Sequence, residues 1–297
     1  MYVYAKTKSV LLIALALVIV LQAAAQQQKE YVEKTFRSNS LLTLQTVENV
    51  PAKSWQLIVQ HRFGRADVKK DFLYEFLGMD KTSNIRLGVA IPVTERGYIG
   101  AGRTKNNKAV DIEAKYILVK QTSDFRQPVS MALYANAAYN TVRFPENNNG
   151  YFEQDSVTAF RYANVHRLSY GYQLLVASKI APWLSLQLSP TCVYKNLVPP
   201  GRDNYSLALN LGGKITVSLM TSVLFEYAVI ANKAASQVNP FALGYEIKTA
   251  SHGFQIFFGS ANAILNQELY TTESNADLLD KNFFLAFNIH RSFYIKK

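Results

Sequence analysis

Four histidines, one cysteine and a scattering of charged side chains are the reactive material in this chain of 297 residues. His61, His166, His252 and His290 lie on separate segments. No two have the i, i+2 or i, i+4 spacing that brings two imidazoles to one metal ion, so no metal site is expected. A hydrolase needs a nucleophile and a base within hydrogen-bond reach. The close pairs are His166 with Ser169 and His290 with Ser292, and both read as ordinary polar residues. Cys192 stands alone, which excludes an intramolecular disulfide and a multi-cysteine metal centre. Residues 97–102 (GYIGAG) have the glycines of a nucleotide loop, but no helix follows them, so strand packing at a bend explains them better. No catalytic residue, cofactor or metal is assigned, and the chain is not read as an enzyme.

The elements that position these residues show a period of two. On Ser54–Phe63, Trp55, Leu57 and Val59 oppose Gln56, Gln60 and Arg62. On Ile85–Val93, Ile85, Leu87, Val89 and Ile91 oppose Arg86, Gly88 and Ala90. On 109–121, Val110, Ile112, Tyr116 and Leu118 oppose Asp111, Glu113 and Lys115. The same alternation runs through 129–141, 183–195, 205–215, 241–248 and 283–295. With 98–104, 162–179, 221–231 and 254–260 it gives about twelve strands. The Gly-rich 98–104 segment does not disclose its faces. With one exception, 105–108, connections alternate in length: 64–84, 142–161 and 261–282 are long, whereas 94–97, 180–182 and 250–253 are short. Long loops at one end, short turns at the other and an even strand number predict an all-β, antiparallel transmembrane β-barrel. Closure is required, since an open sheet edge in lipid leaves backbone groups unpaired at several kcal/mol each.

The barrel parity turns a set of charges into lumen-lining candidates: Arg62, Arg86, Glu113 and Lys115 from neighbouring early strands, and Glu226, Glu246 and Lys248 from later ones. Rings of one sign set pore selectivity, but these signs are mixed. Mutual pairing that fills the interior is therefore expected. In the 64–84 connection, Phe72, Leu73, Phe76 and Leu77 are at helical spacing, which predicts a short helix over 71–79 capping the barrel mouth. Residues 142–161 read as a solvated surface loop.

The N-terminus supplies the address. Lys6 and Lys8 precede an apolar stretch from Val10 to Leu21, followed by Ala23-Ala24-Ala25. This is the pattern of a cleaved signal peptide over 1–25, leaving Gln26 first. Residues 26–53 are a polar N-terminal periplasmic segment, read as a free tail in preference to a lumen plug. Formal net charge is +11, which raises nucleic acid as a partner, but export argues against it. The basic excess suits anionic membrane lipid instead. The aromatic-rich last strand, 283–295, is of the kind that outer-membrane barrel-assembly machinery recognises. Composition agrees: 49% of residues are hydrophobic and 12% aromatic, with Tyr and Phe far ahead of Trp.

A series of segments carries a resemblance. HRFG at 61–64, FLGMD at 76–80, IRLGVAIP at 85–92 and GAGR at 100–103 are followed by KYILVKQ at 115–121 and YQLLVASK at 172–179. LSLQLSPT at 184–191, KNLVP at 195–199, HGFQIFF at 252–258 and FNIHRSF at 287–293 complete it. Together they resemble an uncharacterised bacterial outer-membrane β-barrel family, a domain of unknown function, over most of the chain from about Thr35 onward. The resemblance implies location and fold and supplies no activity. The expected function is passive passage of a small solute through a narrow polar lumen. The alternative is a non-conducting barrel acting as a structural or interaction platform through loops 64–84, 142–161 and 261–282.

Overall fold

In the computed structural model the described residues are 30–70, 74–152, 158–235, 237–272, 276–277 and 280–295. The signal peptide expected over 1–25 lies outside them. The chain forms β1 (Ser54–Asp67), β2 (Asn84–Thr94), β3 (Gly97–Thr104), β4 (Val110–Val119) and β5 (Ser130–Tyr139). A small hairpin follows, β6 (Asn149–Tyr151) with β7 (Ala159–Arg161). The series resumes with β8 (Leu168–Ala181), β9 (Leu184–Lys195), β10 (Tyr205–Thr216), β11 (Thr221–Ile230), β12 (Phe241–Lys248), β13 (His252–Gly259) and β14 (Asn282–Tyr294). All but β6 and β7 join one closed barrel of twelve strands, each paired antiparallel with its neighbour. Closure is made by β1 on β14, from Ser54 opposite Tyr294 to Asp67 opposite Asn282.

The wall is the reverse of a soluble sandwich. On β2, Leu87, Val89 and Ile91 are exposed while Arg86 and Ala90 are buried. On β4, Val110, Ile112, Tyr116 and Leu118 face out, and Asp111, Glu113 and Lys115 face in. An apolar outer band around a polar interior is what lipid outside and a closed lumen inside demand. The faces of β3 are now defined: Tyr98, Gly100, Gly102 and Thr104 point in, and Ile99, Ala101 and Arg103 point out.

Of the five connections at one end four are short (95–96, 182–183, 217–220 and 249–251) and 120–129 is longer, while 68–83, 140–167, 196–204, 231–240 and 260–281 share the other end with the short 105–109. The helix expected over 71–79 is not formed by its described part. Phe76–Gly78 is a single 3-10 turn, with Phe76, Leu77 and Gly78 all at positive φ, a conformation no helix continues through. Phe72 and Leu73 lie outside the described residues. The strand expected from 162 begins only at Leu168, after a 3-10 turn at Asn164–Arg167. The 142–161 loop carries the β6–β7 hairpin and packs its aromatics, Phe144 on Tyr162 and Phe152 on Phe160, with Arg167 over the Phe144 ring.

Two segments enter the barrel. Residues 30–53 do not hang free, contrary to the preference for a tail. They enter at the short-turn end, where Val32 N–H donates to Gln121 and Ser123 N–H to Glu30. The chain turns back at 39–46 in a tight hairpin, Ser40 bridging Gln45, and leaves beside the start of β1. Phe36, Leu41, Leu42 and Val47 of this segment share a core with Ile117, Tyr134, Leu175, Leu224 and Phe257 of the wall. From the other end, residues 260–272 fold inward around the one-turn helix α1 (Asn266–Leu269). Leu265, Leu269 and Tyr270 there are buried.

Candidate functional site

Alternation dictates that every second residue of each strand points into the lumen, and the sequence puts charges at many of those positions. Arg86 and its partners form a true ion cluster. Its Nε donates to Asp111 Oδ1 at 3.0 Å and its Nη2 to Asp111 Oδ2 at 2.6 Å, a two-pronged grip, with Glu113 Oε2 at 3.3 Å. Tyr134 Oη donates to the same Glu113 oxygen. Glycines make room for this cluster. A Cβ on Gly102 would lie 2.6 Å from the Arg86 guanidinium, and one on Gly100 2.9 Å from Glu113 Cγ.

The other inward charges have a different partner, the main chain of residues 35–46. Glu226 accepts from the N–H groups of Leu42, Thr43 and Leu44 at 2.7–3.1 Å, and from Thr43 Oγ1 at 2.5 Å. Arg62, fully buried, donates from Nη2 to the Leu42 carbonyl and from Nη1 to Asn288 Oδ1, and Asn288 donates to the Leu42 carbonyl as well. Lys115 Nζ donates to the carbonyls of Asn39 (2.8 Å) and Thr46 (2.7 Å). Lys214 Nζ donates to the Thr35 carbonyl at 2.6 Å, joined there by Ser185 Oγ. Gln187 holds the Gln45 carbonyl and Gln255 the Ser40 carbonyl. Glu246 accepts from Ser38 Oγ at 2.7 Å.

The expectation of mutual pairing therefore needs correction. Arg86 pairs with carboxylates, whereas Lys115 and Glu226 are satisfied chiefly by hydrogen bonds with the inserted segment, and Arg62 divides its bonds between the Leu42 carbonyl and acceptors on β1 and β14. The physical reason is that a peptide hairpin offers a donor or an acceptor at nearly every residue. Of the seven lumen candidates, Arg62, Arg86, Glu113, Lys115, Glu226 and Glu246 are buried inside the barrel. Lys248 is half-buried at the short-turn end of β12, beside Gly253. The structure adds Asp111, Lys214, Gln187, Gln255 and Asn288 to the set. All have the inward parity of their strands, and that parity was the signal available for them.

The segment also carries its own buried acid. Glu48 Oε1 accepts from the N–H groups of Thr35 (2.9 Å) and Phe36 (3.1 Å). Burial raises its carboxyl above the usual range, against the lowering effect of those two N–H groups and of Lys115 and Lys214.

At the long-loop end, the inward loop ties to much of the circumference. Asn84 donates to the Asn262 carbonyl, Ser206 and Gln237 to the Tyr270 carbonyl, and Tyr270 Oη to Asn210 Oδ1 at 2.8 Å. Gln267 donates to Asn136 Oδ1, and Asn107 to Glu268 Oε1. Residues 260–272 of this connection are thus turned into the barrel. Between Thr43 and Leu44 of the hairpin and Leu269 of the loop, a void of about 10 Å³ remains beside Glu226, room for one water at most.

Among the described residues the two histidine–serine pairs do not come together as base and nucleophile. His290 and Ser292 both face in, but Ser292 Oγ accepts from Gln56, and the hydroxyl near His290 Nε2 is Ser40 of the hairpin at 3.3 Å. His290 Nδ1 has no partner to orient the ring. His61 faces out and stacks on Phe287, and His166 Nδ1 accepts from the Ala163 N–H. Among the described residues no group of three His, Cys, Asp or Glu side chains converges on a metal position.

Comparison with solved structures finds barrels of similar path at low identity. The KdgM porin matches with a TM-score of 0.46 and 11% identity over 80% of this chain and 99% of its own. The NanC porin matches at 0.48 and 8%, over 80% and 100%. An outer membrane channel from Pseudomonas putida F1 matches at 0.48 and 13%, over 83% and 98%. No curated protein matches the sequence significantly. The family comparison covers residues 36–293, beginning at Phe36 inside the inserted segment and ending in the last strand. With that span matched, the chain belongs to the membrane bound beta barrel domain family (DUF5777).

Proposed function

We propose that this is an outer-membrane channel for a small solute, closed at rest by its own residues 30–53. One observation carries the reading: Glu226, Lys115, Lys214 and Arg62 of the wall hydrogen-bond to the backbone of a segment that enters and leaves at the same end. Such a hairpin can be withdrawn without unthreading, and water or a solute can then take over the hydrogen bonds it made. The polar lumen would remain, lined by Arg62, Lys115, Glu226, Glu246, Lys248 and the Arg86–Glu113 cluster. Export by the signal peptide over 1–25 and membrane assembly through β14 complete the proposal, with the long connections outside and the short turns in the periplasm.

Burial sets the resting state. Phe36, Leu41, Leu42, Leu44, Val47 and Val50 are nearly inaccessible, and at roughly 1.5–3 kcal/mol each their seating is worth on the order of 10 kcal/mol. Thermal opening is then rare, and a solute or a periplasmic partner must draw the segment out. That same apolar packing supports a second reading, a permanently filled barrel serving as a platform. Bilayer conductance separates the two. The channel reading expects silence from the unaltered protein and current steps from Leu41→Asp/Leu42→Asp, whose buried carboxylates expel the hairpin. A folded, silent variant favours the platform.

A further inference from the structure

The way the wall grips the hairpin says what kind of molecule the lumen is shaped for. Of the polar contacts made to residues 35–46, most go to main-chain atoms. Carbonyls of Thr35, Asn39, Ser40, Leu42, Gln45 and Thr46 accept from wall side chains, and three consecutive N–H groups donate to Glu226. Main-chain groups are common to every peptide, so this recognition depends little on side-chain identity. Between the polar contacts the wall has apolar sockets. A Cβ on Gly212 would lie 2.6 Å from Leu41 Cδ1, so the missing side chain there is what admits the leucine. Leu42 and Phe36 share their core with Leu224 and Phe257.

From this we infer that the solute of this channel is a short peptide with apolar side chains, which takes the place of the withdrawn hairpin. The inference rests on the channel reading given above. The chemistry discriminates against other small solutes. A saccharide offers hydroxyls without three N–H groups in line for Glu226, and it has no branched apolar group for the Gly212 socket. A small anion would meet the Glu226 and Glu246 carboxylates with no N–H groups between. The neutral, alternating backbone of a peptide suits Glu226, Arg62 and Lys115 together, since it presents donors to the first and acceptors to the others.

The test uses the full chain in a planar bilayer, opened in two ways. One is Leu41→Asp/Leu42→Asp. The other keeps the hairpin sequence and places a site-specific protease sequence at residues 51–53, so that the segment is cut and washed away after the barrel has folded. Three probes are added from the short-turn side: a peptide with the sequence 36–48, the same residues scrambled, and a neutral oligosaccharide of similar mass. Both peptides are expected to interrupt the current and the oligosaccharide to leave it unchanged. Glu226→Gln is expected to weaken the peptide block about tenfold, the loss of one charge-assisted contact. Steady conductance that neither peptide interrupts, or that the oligosaccharide interrupts equally, overturns the peptide inference and leaves the channel reading standing. A barrel that folds but never conducts by either route, even with Leu269→Ala/Tyr270→Ala added to free the opposite loop, removes the channel reading itself.

Discussion

A buried charge must find a partner, and the identity of that partner is what separates a pore lining from a packed interior. Arg86 is held by Asp111 and Glu113, and its guanidinium lies where a side chain on Gly102 would sit. Gly102→Val should push Arg86 off Asp111 and leave both charges buried and unpaired. A loss of roughly 3–5 kcal/mol in barrel stability is expected from that, read by urea unfolding of the refolded protein, and an unchanged midpoint would show that the cluster repacks. Glu48 gives a pH dependence. Its carboxyl is raised by burial, so the seated hairpin binds the proton more tightly than the released one. Seating is strongest below the ordinary carboxylate range and weakens as the pH rises through that range toward the raised value. Amide exchange at Leu42–Leu44, corrected for intrinsic rate, should be slower at pH 4 than at pH 7, and Glu48→Gln should reduce the difference. These residue-level partners were only half legible in the sequence. Parity placed Arg62, Glu113 and Glu226 on one side of the wall, but nothing in the strand pattern disclosed that a distant segment would supply the hydrogen bonds of Lys115 and Glu226.

At the scale of elements, the strands were readable because lipid on one side and polar contacts on the other impose alternation residue by residue, as on Val110–Val119. The inserted segment follows no such rule. Its buried apolar residues, Phe36, Leu41, Leu42, Leu44, Val47 and Val50, fit neither a period of two nor one of 3.6, because a hairpin tip touching several strands meets a different surface at each residue. Only the Leu41-Leu42-Thr43-Leu44 patch hinted at burial. The short turn at Phe76–Gly78 shows the opposite failure, helical spacing without a helix, since three successive positive φ values at the strand end override the pattern. The seating of the hairpin has a direct structural check. Ser38 Oγ lies 3.2 Å from where a Cβ on Gly253 would be. Ser38→Cys with Gly253→Cys should therefore oxidise to a disulfide that ties the segment to β13, seen as a reducible mobility shift absent from either single variant. Failure of the pair to oxidise in the folded protein would place the segment elsewhere.

For the whole molecule, the barrel is filled from both ends, by residues 30–53 at the short turns and by 260–272 at the long loops, with little space between Thr43 and Leu44 of the one and Leu269 of the other. The inversion of polarity that marks the fold, apolar outside and polar inside, lets the wall hydrogen-bond to the filling through groups that water could satisfy in its place, and on the channel reading this is what makes the filling removable. Its apolar contacts, on the order of 10 kcal/mol, keep it seated at rest. The measurement that bears most directly on this account is the bilayer conductance of the refolded protein, compared with Leu41→Asp/Leu42→Asp and with that variant carrying Leu269→Ala/Tyr270→Ala to free the opposite loop. The account predicts a silent parent and salt-dependent current steps once the hairpin is expelled, larger when the loop is freed too. Steady conduction by the parent, or silence from all three folded barrels, would contradict it.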